Sequence, residues 1–102
     1  MSTIDDMIIA AEDAAGADWG KIEKDVTTFA KSILVDGANI AAKVATGELS
    51  DDEAKDLYQM LGDVGDMVKN YAETALLKVL QDAANAAIDV LIAAAKAGTI
   101  AL

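Results

Sequence analysis

ALLKVLQDAANAAIDVLIAAA, residues 75–95, confines its polar side chains to one narrow stripe. At about 100° per residue, Lys78, Gln81, Asp82, Asn85 and Asp89 share one side of a helix, and Lys96 extends it. The remaining positions are Ala, Leu, Ile or Val. A helix on the surface of a globular protein usually has an apolar stripe a little over ~100° wide. Here the apolar arc spans ~250° on the same geometry. Such a helix needs cover on more than one side, from its own chain or from a partner.

The other residues are suited to supplying helices as cover. The chain is 54% hydrophobic but only 4% aromatic, so its apolar content is mostly alanine and aliphatic residues that pack closely. Its 102 residues suffice for one domain with one core. Proline is absent, so nothing forbids long helices.

The first helix is expected over about Thr3–Ala15, capped by Ser2 or Thr3 and ended by Gly16. Asp18 is a natural cap for the second, expected over about Trp19–Ala45. Trp19, Ile22, Val26, Phe29 and Ile33 follow the alternating three–four spacing of a coiled-coil seam. The seam shifts at Asp36, and Gly37 offers either a kink or a close helix crossing. Next comes a strong turn signal: Gly47 as a helix stop, then Ser50 and Glu53 as a capping box with Asp51 and Asp52 in the first turn. This Gly47–Ala54 stretch resembles turns in many small bacterial and phage-like helical hairpins, a resemblance that implies a turn and no function.

The third helix is expected over about Asp51–Lys96, stopped by Gly98. It would be about 70 Å long at ~1.5 Å per residue, against about 40 Å and 20 Å for the second and first. The fold expected is therefore all-α: an antiparallel helical hairpin or small bundle with coiled-coil-like packing. In the hairpin Val44 lies near Leu57, Ile33 near Val64, Trp19 near Leu77, and the first helix against residues 81–93. Gly62 and Gly65 are where the third helix would break to give a four-helix bundle. The heptad phase of Leu61, Val64, Val68, Tyr71 and Ala75 favours the unbroken helix. The tail Gly98–Leu102 either docks or frays.

The composition narrows the chemistry. Neither His nor Cys occurs, which removes the commonest general base, the commonest transition-metal ligand and thiolate nucleophiles. All eight basic residues are lysine, so no guanidinium fork can grip phosphate. Net charge is −10, divided evenly between the halves, which repels nucleic acid and anionic lipid headgroups. Asp63, Asp66 and Lys69 read as a solvated face, Asp36–Asn39 and Asp63–Asp66 do not fit a calcium loop, and phosphate-binding loops are missing. The expectation is a non-enzymatic protein with no cofactor and no metal.

Met60 and Met67, seven apart, read either as a second buried stripe or as an adaptable partner surface. Tyr58, Tyr71 and Trp19 read as core or rim residues. The N-terminus carries acids where a signal peptide needs positive charge, and Lys78, Asp82, Asp89 and Lys96 interrupt any membrane span. A cytoplasmic location is expected, with leaderless secretion left open.

The function expected is protein–protein interaction: a homo-oligomer, dimer or higher, or a complex with another helical protein. Leu76, Leu80, Ala87, Leu91 and Ile92 form the expected interface, the part of the apolar arc that the first two helices would leave uncovered. Two alternatives stand beside it. One is a membrane-active or lipid-surface protein that exposes its hydrophobic helices, although its polar stripe lacks the usual basic enrichment. The other is an acidic inhibitor or nucleic-acid mimic, although Asp5, Asp6, Asp51, Asp52, Asp56, Asp63 and Asp66 are scattered.

Overall fold

The computed structural model describes residues 2–69 and 74–100. Its elements are α1 (Thr3–Ala15), a 3₁₀ turn (Gly16–Asp18), α2 (Trp19–Asp36), α3 (Ala38–Ala45), α4 (Asp51–Leu61), α5 (Val64–Val68) and α6 (Thr74–Ala97). The fold is an all-α bundle, and among the described residues there is no strand.

Local capping chemistry sets several of the helix ends. Ser2 Oγ accepts from the Asp5 backbone N–H, and the Asp5 carboxylate reaches back to Ser2, closing a capping box on α1. Gly16, at φ +60°, ends that helix. Asp18 does not cap α2 as expected; its carboxylate lies 3.7 Å from Lys21 Nζ. At the end of α3 the Glu48 N–H donates to the Lys43 carbonyl (2.9 Å) and the Gly47 N–H to that of Val44 (3.2 Å), with Gly47 at φ +80°. This Schellman closure leads straight into the capping box of α4, where Glu53 N–H donates to Ser50 Oγ and Glu53 Oε1 accepts from the Ser50 N–H. A second Schellman closure stops α6 at Gly98, φ +68°.

The two long helices expected from the periodicity are both interrupted. Gly37 bends the first between α2 and α3 without reversing it: its N–H donates to Ile33 and its carbonyl accepts from Ala41, both at 3.0 Å. A Cβ on Gly37 would sit 2.6 Å from Cε1 of Tyr58, so glycine lets α4 approach closely. The expected helix over 51–96 breaks after Leu61. Gly62 keeps right-handed dihedrals (φ −81°, ψ −4°), but Asp63 has φ +53°, the one non-glycine residue with positive φ among those described. A Cβ on Gly62 would collide with the Phe29 ring. The cause of the break is thus tertiary: α4 must seat against α2, and the chain turns immediately afterwards.

The 70 Å hairpin is therefore corrected to a bundle measuring 39 × 26 × 18 Å. α4 folds back antiparallel to α6, pairing Asp51 with Lys96, Lys55 with Asp89 and Gln59 with Asn85. α6 runs through the middle, touching α1, α2, α3, α4 and α5, and its most extensive contact is with α1, the helix expected to lie against it. The buried residues form one cluster, with Met7 and Ala11 of α1, Ile22, Val26, Phe29 and Ile33 of α2, and Tyr58 of α4 around the α6 face. Tyr71 and the last tail residues, Ala101 and Leu102, lie outside the described residues, as do the side chains of Asp66 and Val68.

Candidate functional site

The apolar arc of α6 is covered by its own chain. Leu80, Ala83, Ala84, Ala87, Ile88, Leu91, Ile92 and Ala95 are at most 5% exposed. At ~100° per residue they occupy about half the helix circumference. Of the five residues expected at an interface, Leu80, Ala87, Leu91 and Ile92 belong to this buried set, and Leu76 is half-buried. The expectation that they form an uncovered face is corrected: α1 and α6 fit so closely, through alanines, that the face lies inside the core. The half-covered apolar flank is instead Val79, Ala86 and Val90.

The polar stripe of α6 does more than face water. α4 lies along it. Gln59 Nε2 donates to Asn85 Oδ1 at 2.7 Å, Lys55 Nζ lies 3.4 Å from Asp89, and Lys96 Nζ lies 3.2 Å from Asp51. The four charged side chains keep 32–63% of their surface exposed, so each ion pair contributes at most ~1 kcal/mol. These pairs set register more than stability. Reversed charge order along the two segments was the signal in the sequence for this pairing.

Between α4 and α6, an open groove of about 710 Å³ is lined by Asp56, Gln59, Met60, Asp63, Gln81 and Asn85. Met60 is 75% exposed at its edge, while Met67 is buried, so the break at Asp63 separates the two methionines that helical spacing would align. Among the described residues, Val35 (65% exposed), Ile9, Leu57 and Leu61 are the other exposed large apolar side chains.

Two titratable groups are shifted by their surroundings. Tyr58 is fully buried, its hydroxyl has no hydrogen-bond partner among the described residues, and desolvation pushes its pKa up to about 12. A phenol held neutral in this way is unsuited to act as a base. Glu53 is held below the usual carboxylate range by the backbone N–H of Ser50 and then by its hydroxyl, as its capping role requires. Trp19 is half-buried at the edge of the core. Among the described residues, no three acidic, His or Cys side chains are grouped to hold a metal ion, and no helix is long and apolar enough to cross a membrane. Compared with known proteins, the chain matches no family model, no curated protein and no solved structure.

Proposed function

We propose that the chain is a non-catalytic helical protein that self-assembles, with the apolar face of its C-terminal helix α6 as the surface that joins copies. The observation that supports this reading is the placement of α6. One helix touches all the others, and apart from α4, which lies along its polar stripe, it meets them on a broad face of alanine and aliphatic residues. Such a face suits any helices of matching shape, including those supplied by another copy. Among the charged groups, Asp5 and Glu53 close capping boxes, and Lys55, Asp89, Lys96 and Asp51 align α4 with α6.

Sedimentation equilibrium or light scattering across a wide concentration range tests the proposal. A mass that rises above that of one chain with concentration is the expected result. A mass of one 10.5-kDa chain at every concentration would overturn it.

A further inference from the structure

Resting on that reading, we infer that copies join by exchanging α6, with Asp63 as the hinge. In the closed chain the α6 face is already occupied by α1, so a second copy cannot be laid against it. It becomes available only if α6 leaves its own α1, and the surface that then fits it is the α1–α2 surface of another copy.

The stretch 51–68 is built for that opening. α4 ends at Leu61, Gly62 already has right-handed helical dihedrals, and α5 begins at Val64. Asp63 alone departs from the helix, in the left-handed region that side chains other than Gly, Asn and Asp rarely adopt. Rotating Asp63 into the right-handed region joins α4 to α5 and swings everything that follows, α6 included, away from α4. The apolar phase of Leu61 and Val64 continues across the hinge, and no proline interrupts the stretch. Gly62 keeps its close fit to Phe29 in both states, because α4 stays on α2. A short connection held in an unfavourable conformation is the usual setting for exchange. The contacts given up are then remade between copies: Lys55 with Asp89 and Lys96 with Asp51 are intrachain in the closed form and interchain in the exchanged dimer.

The test compares Asp63→Ala with Asp63→Gly. Both lose the same carboxylate at an exposed position, so neither disturbs the core. They differ in their tolerance of positive φ, which favours glycine by roughly 5–30-fold at one hinge. Two hinges per dimer multiply that ratio. After refolding at high concentration, the dimerisation constant should be at least ~25-fold larger for Asp63→Ala than for Asp63→Gly, with the unaltered chain between them. To identify exchange, isotopically heavy and light chains are mixed unfolded, refolded together and cross-linked with a carbodiimide, which joins contacting lysines and carboxylates. Peptides linking Lys96 to Asp51, or Lys55 to Asp89, should pair heavy with light in the dimer fraction. Dimers whose cross-links are all of one isotope would overturn exchange while leaving self-assembly through another surface. Equal dimer fractions in the two variants would overturn Asp63 as the hinge. Monomers alone, in the unaltered chain and in Asp63→Ala, would overturn both the exchange and the self-assembly it rests on.

Discussion

Where α1 meets α6, the buried residues of α1 are Thr3, Met7, Ala11 and Ala15, and α6 presents a buried row of alanine, leucine and isoleucine. Where α4 meets α6, the contacts are an amide pair and two exposed ion pairs beside an open groove. The first contact excludes water and gains stability from area and close packing. The second keeps its water and gains direction: three spaced pairs match only in one antiparallel register. One helix thus carries two interfaces with separate duties, and a substitution should cost an amount that depends on which side it strikes.

Leu91→Asp is the strongest blow to that division. Leu91 is 1% exposed, so the new carboxylate would be buried without a partner. Its cost rivals the ~5–15 kcal/mol that holds a domain folded. The variant should lose its cooperative urea transition by circular dichroism; a retained transition near the native midpoint would move Leu91 out of the core. Next comes a matched pair. Met7→Ala, on the α1 side, should cost about 2–5 kcal/mol, and Lys55→Ala, on the α4 side, less than ~1 kcal/mol. Equal costs in denaturant titrations would erase the contrast.

Tyr58→Phe should act in the opposite direction. It removes a buried hydroxyl that has no partner, so stability should rise by about 1 kcal/mol, seen as a higher urea midpoint at unchanged slope. A fall would mean that the hydroxyl is satisfied in solution. The smallest effect is that of Glu53. Its carboxyl, free of the fold, titrates near 4.5, and the capping box holds it lower. Its contribution is therefore complete above that value and fades as pH falls through the lower folded value. The native chain should lose more stability on acidification than Glu53→Gln does, and parallel curves would remove Glu53 from the account.

Much of this fold is written in local signals. Gly16, Gly47 and Gly98 stop helices, Ser2 and Ser50 start them, and each acts through neighbours within a few residues. The break at Asp63 is of another kind. Heptad spacing across Leu61 and Val64 argues for continuity, and the reason for turning lies in the Phe29 ring pressed on Gly62, more than thirty positions away. Four of the five α6 residues expected to stay uncovered, Leu80, Ala87, Leu91 and Ile92, are buried for the same reason. Periodicity measures how wide an apolar arc is, but which part stays uncovered depends on where α1 and α4 come to rest. Shortening the third helix brought α4 over the polar stripe and left α1, α2 and α3 to cover the apolar arc. What periodicity did convey was the demand itself: residues 75–95 need cover on several sides, and they have it.

Tyr58 also gives the molecule an optical reporter of its own opening. Burial pushes its phenol up to a pKa of about 12 in the closed bundle, whereas a freely solvated phenol ionises near 10.0. Between those values the phenolate is carried mainly by chains that have opened around Tyr58, and its near-ultraviolet absorbance is distinct from that of the phenol. Stability drains away as pH rises through the same window, because the opened form gains the ionisation that the closed form forbids. With Tyr71 changed to Phe, an alkaline pH jump would convert the parting of α4 from the α2–α3 bend into a rise in absorbance, timed without any added label.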